Sequence, residues 1–364
     1  MAISELQLGL VGAGAAVVVG IFAFNKWQEH RHRKASEPAA PLVQEPMLSE
    51  LPAGLGEERL EPVIGAETPV RAAPSPQSVR EASARRVSPA VPADVDDRAD
   101  WVVRIEAIEP VMGGRLLQTA AQHLDGGGRS LRWYGFSDME NSWELLTPHS
   151  GGSHHWVCAV LQLVDRRGAV TESELAHLAG TLQRLCDGLM AIPALPATAE
   201  ALGNAAALDR FCAGVDIQIG VNVVARDQGF PGARLRSLAE GAGLELAGDG
   251  SFHARDEAGA SLFTLSNLEP ILFMPENLRT LSTRGVTLML DVPRVEGGVQ
   301  VFERMMGLAH KMAEGLNGAV VDDNRSPFGD KAVGLIRAQI GQFQQQMSDY
   351  GIPPGSPLAR RLFS

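Results

Sequence analysis

Three stretches of this chain carry residue types that could do chemistry. Gly12 and Gly14, in GLVGAGAAVVVG, suggest a loop that wraps a phosphate. A dinucleotide fingerprint needs a third Gly or Ala at its sixth position, flanked by a strand and a helix. That position is Val17, and no Lys-Ser or Lys-Thr follows for a Walker loop. Ser153, His154 and His155 stand together in SGGSHHW, without a nucleophile-elbow pattern. Adjacent histidines on a strand point to opposite faces and make a poor metal pair. Asp322 and Asp323 precede Ser326 and Pro327, a pattern that fits a turn with helix-capping residues better than a carboxylate dyad. Cys158, Cys186 and Cys212 lack metal-ligand spacing, and their scatter fits a reducing compartment. We therefore expect no enzyme, no metal and no cofactor. An anchored hydrolase using His154, His155 or Asp322 is the weakest alternative.

The glycine-rich stretch has a better explanation. From Leu6 to Phe24 the only polar side chain is Gln7. At ~1.5 Å per residue, about 19 helical residues span roughly 28 Å, close to a ~30 Å hydrocarbon core. No Lys or Arg precedes the run, whereas Lys26, Arg31, Arg33 and Lys34 follow it. That asymmetry predicts an uncleaved anchor with the N-terminus periplasmic and everything from Lys26 onward in the cytoplasm. Trp27 falls at the interface. His30 and His32 lie in the basic block and read as part of a lipid-facing patch. Gly12, Ala16 and Gly20 recur every four residues and offer a face for weak self-association in the bilayer.

The tether that follows is legible from composition. The net charge is −11 over 364 residues, with the basic block confined to the membrane edge, so nucleic-acid binding is not expected. Residues 37–97 are rich in Pro, Ala, Glu and Ser, with almost no aromatics, and read as a disordered linker. The expected layout is a periplasmic N-terminus at 1–5, a transmembrane helix at 6–25 and a basic juxtamembrane segment at 26–36. The linker occupies 37–97, two α+β units 98–212 and 213–350, and a C-terminal tail 351–364.

Two similar patterns fill the folded part. In the first, WVVRIEAI alternates as a strand. TESELAHLAGTLQRLCDGLM is a helix with a capping box at Thr171 and Glu174. In the second, VDIQIGVNVVA and GVTLMLDVP alternate, LELAGDGSFHA reads as one strand, and SLFTLSNL as the next. A last helix carries Val333, Ile336, Ile340, Phe343 and Met347 on one stripe. The order strand-helix-strand-strand-strand-helix-strand-helix occurs twice, which predicts an internal duplication. The strand faces opposite the core sets carry Gln218, Gly220 and Asn222; Leu262, Thr264, Ser266 and Leu268; and Thr287, Met289 and Asp291. Small residues beside a few large flexible apolar ones make a shallow groove that suits a helix or an extended peptide.

Four blocks resemble the ZipA family of bacterial cell-division proteins. LQLGLVGAGAAVVVGIFAFNKWQEHRHRK is similar to the family's membrane anchor. LFTLSNL, STRGVTLMLDVP and LNGAVVDDNRSP are similar to its C-terminal domain. The resemblance covers residues 5–34 and about 215–348, while 98–212 is an additional, divergent repeat. It implies an α+β fold of split β-α-β units, each an antiparallel sheet backed by helices. It further implies an open sheet face that holds the C-terminal tail of FtsZ, mainly by apolar contact, at Gln218, Gly220, Ser251, Ser266, Leu268, Thr287 and Met289. A one-residue register change would bring Gly250 and Phe252 to the groove instead. The implied role is an inner-membrane adaptor that ties the Z ring to the bilayer at the division site. The alternative is a membrane-anchored scaffold for another division or envelope protein.

Overall fold

The computed structural model describes residues 88–124, 129, 131–323 and 325–364. The anchor residues Leu6, Phe24, Lys26 and Trp27, the Gly12–Ala16–Gly20 face and the linker up to residue 87 lie outside the described residues. Among the described residues no helix is long and apolar enough to cross a membrane.

The first unit opens with β1 (Asp100–Met112) and α1 (Gly113–His123), followed by β2 (Leu131–Ser137), β3 (Ser142–Leu145) and β4 (Ser153–Gln162). A small hairpin, β5 (Val164–Asp165) and β6 (Gly168–Ala169), leads to α2 (Glu172–Leu189), β7 (Ala191–Ala194) and α3 (Thr198–Val215). The capping box at the start of α2 forms in full. Glu174 N–H donates to Thr171 Oγ1 at 3.2 Å and Thr171 N–H to Glu174 Oε2 at 2.7 Å. Those bonds satisfy amides that a helix start leaves without partners. Leu175, Leu178, Leu182 and Leu185 then bury one face against the sheet.

The second unit has β8 (Gln218–Ala225), β9 (Phe230–Pro231), α4 (Gly232–Gly241), β10 (Leu244–Leu246), β11 (Phe252–Arg255) and β12 (Ser261–Asn267). It continues through β13 (Ser282–Thr283), β14 (Gly285–Asp291), α5 (Gly298–Leu316), β15 (Gly318–Val321), α6 (Asp330–Asp349) and α7 (Pro357–Leu362).

The strand orders reveal the repeat. The first sheet runs β3-β2-β4-β1-β7 and the second β10-β11-β12-β14-β8-β15. Taking β1 with β8, β2 with β12, β3 with β11, β4 with β14 and β7 with β15 superposes the two orders, leaving β10 as an extra edge. The pairings between neighbouring main-sheet strands are antiparallel. Each sheet has a core on one face. Val103, Trp133, Ala159 and Leu161 meet α2 and α3 residues in the first, and Val221, Val223, Leu265, Leu288 and Leu290 meet Phe302, Met305 and Met312 in the second.

Three expectations need correction here. LELAGDGSFHA is two strands, because Gly250 turns the chain at φ +77° between β10 and β11. Residues 88–97 do not belong to a disordered linker. Pro92 is buried, and Val95 packs against Tyr134, Cys158 and Val160 on the outer face of the first sheet. Residues 351–364, expected as a C-terminal tail, are part of the folded body. Ile352, Ala359, Leu362 and Phe363 are buried in the first unit's core, and Arg361 pairs with Asp100 at 2.9 Å. The α6 stripe joins the two cores: Ile340 packs in the second, Phe343 and Met347 in the first.

Candidate functional site

The candidate site is the outer face of the second sheet. Strand alternation and register set its rows. One row is His253–Thr264–Met289–Gly220, and the next is Ser266–Thr287–Asn222–Val321. Asp291 and Gln218 close the face at one end. Leu268 closes the other, where its amide donates to Gly285 carbonyl oxygen at 3.1 Å. Gly285 is required there. A Cβ on it would lie 2.9 Å from Leu268 Cδ2 and 2.8 Å from Val223 O.

Met289, Gly220, Leu268, Ser266 and Thr287 thus share one face. Met289 is half-buried beside the bare backbone of Gly220, and Leu268 is 41% exposed. Neither packs into the helix-backed core. Leu262, expected on the same face, instead packs against the core where β12 shifts register with β11.

Polar groups frame this strip. Thr287 Oγ1 donates to Asn222 Oδ1 at 2.7 Å, and Asn222 Nδ2 donates to Asp323 Oδ1 at 2.9 Å. Asp323 therefore reaches across the sheet beside Gly220. Asp322 Oδ1 accepts from the amide of Ser326 at 2.7 Å, so the two aspartates do separate structural work. Gln218 donates to Asp291 Oδ2 at 3.3 Å, and Arg166 from the first unit pairs with both Asp291 and Asp216. Burial pushes the Asp291 carboxyl up, an effect the Arg166 guanidinium opposes. Gln218 is consequently tied into an ion-pair cluster rather than free on the groove floor.

Phe252 is a correction. It is fully buried and meets Phe273 at a ring-centroid distance of 5.6 Å, so it faces the helices. The physical reason is the turn at Gly250: β11 begins at Phe252, and its alternation puts Phe252 and Ala254 inside and His253 outside. Ser251 precedes the strand and is also buried, where its hydroxyl donates to Asp249 Oδ1 at 2.8 Å. His253 is the residue that β11 presents to the outer face, and sequence reading missed it. Its Nε2 lies 2.9 Å from Asp249 Oδ2 and its Nδ1 2.9 Å from Ser261 Oγ. Burial raises the Asp249 carboxyl, but bonds from Ser251 and His253 outweigh it and hold the group below the usual carboxylate range.

A further apolar group lies beyond Leu268. Ile271, Leu272 and Met274 are exposed in the loop after β12. Phe273 anchors that loop in the core, and Asn267 and Asn277 bind its carbonyls at Ile271 and Leu272. Elsewhere, His154 is buried, with Nδ1 3.0 Å from Phe136 O and Nε2 3.2 Å from Glu144 Oε1. His155 turns toward Ala107 O instead. The three cysteines are free and buried, and burial pushes each thiol up to about 12, far from a reactive thiolate at neutral pH.

Residues 217–339 match the family model described as the ZipA C-terminal FtsZ-binding domain. Curated relatives named cell division protein ZipA align over the same proportion of the chain. The protein from Marinobacter nauticus is 29% identical over 131 residues, covering 35% of this chain and 39% of the relative. That from Ectopseudomonas mendocina is 32% identical over 149 residues, covering 39% and 54%. That from Azotobacter vinelandii is 35% identical over 130 residues, covering 34% and 45%. The chain thus spans about half or less of the length of these relatives. The segment from β8 into α6, with the outer face it carries, is thus similar to the ZipA C-terminal FtsZ-binding domain.

Proposed function

We propose that this protein is a non-enzymatic adaptor of cell division. The outer face of its second sheet binds the C-terminal tail of FtsZ, and its N-terminal segment holds the complex at the inner membrane. The observation that carries the reading is the pair of apolar side chains Met289 and Leu268 on the sheet face opposite the helix-backed core of the described residues, inside the segment that matches an FtsZ-binding family. Half-buried Met can repack around a ligand side chain, and Gly220 leaves room beside it. Ser266 and Thr287 supply hydroxyls along the strip, and exposed Ile271 and Met274 continue its apolar character. Buried apolar area gives affinity, while the polar frame fixes register.

In this reading residues 6–25 span the bilayer once, with the N-terminus periplasmic. Lys26 and Trp27 sit at the cytoplasmic interface, and Gly12, Ala16 and Gly20 allow weak pairing of anchors. The basic residues after the apolar run support that orientation. The long Pro/Ala-rich segment gives the folded part reach to meet a polymer away from the bilayer. The binding reading is tested by titrating a synthetic FtsZ C-terminal tail peptide into the protein and its Met289→Ala variant. Saturable binding that weakens by about tenfold, ~1.4 kcal/mol, supports it. Equal binding to both removes Met289 from the site.

A further inference from the structure

The first sheet repeats the strand order of the second, so it owns an equivalent outer face. That face is occupied. Residues 88–97, SPAVPADVDD, lie across it and touch four of its strands. Arg104 Nη1 on β1 donates to Ser88 Oγ at 3.4 Å, and Trp143 Nε1 on β3 donates to Ala90 carbonyl oxygen at 2.5 Å. On β2, Arg132 Nη1 and the Tyr134 hydroxyl both donate to Asp94 Oδ2, at 3.0 and 2.5 Å. Val95 completes an apolar cluster with Tyr134, Cys158 and Val160 that is separate from the helix-backed core, and Pro92 is buried.

This arrangement has the chemistry of peptide recognition. An indole N–H takes a backbone carbonyl, an arginine and a tyrosine hydroxyl take one carboxylate, and an apolar cluster takes a valine. The segment turns at Pro92, whose carbonyl accepts from the Val95 amide at 3.2 Å, and proline's fixed φ lowers the entropy lost on docking. A solvated sheet face would have needed none of these groups.

We infer that the outer face of the first sheet is a second peptide-docking surface, built for a turn-containing segment with proline, a small apolar residue and a carboxylate, and that the chain closes it with its own residues 88–97. The occupant is held in cis. Its effective concentration is in the mM range for a short connection, so a free peptide at μM levels does not displace it. The two sheets therefore divide their roles: one face stays open, and the other fixes the point where the Pro/Ala-rich segment leaves the folded part.

The test uses the whole protein and a fluorescent synthetic peptide of residues 86–97 as probe. In Val95→Asp, a carboxylate replaces the valine in the Tyr134–Cys158–Val160 cluster and releases the segment. In Asp94→Ala, the bonds from Arg132 and Tyr134 are lost without disturbing the apolar contacts. Both positions lie at the periphery, and circular dichroism reports whether each variant keeps its fold. The wild type should not bind the peptide at 10–100 μM, on the order of the concentrations a cis ligand excludes. Each variant should bind it at least about tenfold more tightly. Adding Tyr134→Phe to Val95→Asp should weaken that binding again. Peptide binding equal in wild type and both variants, or absent from all of them, overturns the inference. Adding Met289→Lys to Val95→Asp should leave probe binding as in Val95→Asp alone, so this result stands or falls apart from FtsZ binding by the second sheet.

Discussion

Met289 and Gly220 face each other across adjacent strands of the second sheet, and a Cβ placed on Gly220 would lie 3.6 Å from Met289 Cε. It would also lie 3.8 Å from Asp323 Oδ1. Both are ordinary van der Waals separations, so the glycine is not demanded by the fold. What it keeps is space beside a flexible thioether. Gly220→Ala should therefore change neither stability nor tail binding by more than about twofold. Gly220→Val should fill the space and lower tail affinity by about tenfold. Its melting temperature should hold or rise, because a β-branched residue suits a strand better than glycine. Calorimetric titration beside thermal unfolding reads both effects. A valine variant that binds as wild type would show that the peptide does not approach this part of the sheet.

Leu268 is outside the core but packs over Gly285. Leu268→Ala should weaken binding of the FtsZ tail by roughly 1–2 kcal/mol, as for a buried interface anchor. Unfolding should shift by only about 0.5 kcal/mol, as for an exposed position. Urea titration and peptide titration on the same variant separate the two. A large loss of stability with binding intact would place Leu268 in the core.

Gly250 makes a demand that Gly220 does not. Its φ is +77°, and a Cβ there would lie 2.5 Å from Leu272 Cβ. Its carbonyl also receives the Phe273 amide at 3.0 Å, so any shift is felt in the core. Gly250→Ala should destabilise the protein by about 1–3 kcal/mol. Chemical denaturation measures it, and a change within 0.5 kcal/mol would contradict the turn geometry.

Acid should weaken the turn around Asp96 that leads into β1. Burial raises the Asp96 carboxyl, but hydrogen bonds and charge from Arg98 and a bond from the Ala99 amide more than offset this, so its pKa lies below the ordinary value. A carboxylate with a lowered folded pKa stabilises the fold above its unfolded value, near 3.9, and that contribution disappears as pH falls through the folded pKa. Melting temperature followed from about pH 6 to 3 should fall less steeply in Asp96→Asn than in wild type. Parallel curves would remove Asp96 from the acid response.

Elements with strong local signals were legible in the sequence. The α2 capping box, the leucine face behind it and the alternation of β8 and β14 all form as their spacing predicts, and the doubled order of elements reappears as matched strand order. Met289, Leu268, Ser266 and Thr287 were assignable to one face because alternation alone decides it. Phe252 was not, since its side depends on a turn at Gly250 that restarts the alternation. Residues 88–97 lack the composition for a core of their own. Their order comes from Tyr134, Trp143 and Arg132, which lie about 40 to 50 residues away in sequence and leave no mark on the segment itself. The last residues are similar: Leu362 and Phe363 find their partners in the first unit. Burial supplied by distant surfaces escapes any reading based on composition.

The central claim is that FtsZ tail peptide binds across Met289. Isothermal titration of that peptide into wild type and Met289→Lys tests it most directly, because a lysine there sets a charge where the bound peptide must exclude water. The account predicts saturable binding to wild type, a loss of at least about a hundredfold in the variant, ~2.7 kcal/mol, and near-identical melting curves. Binding of equal strength to both proteins would contradict it.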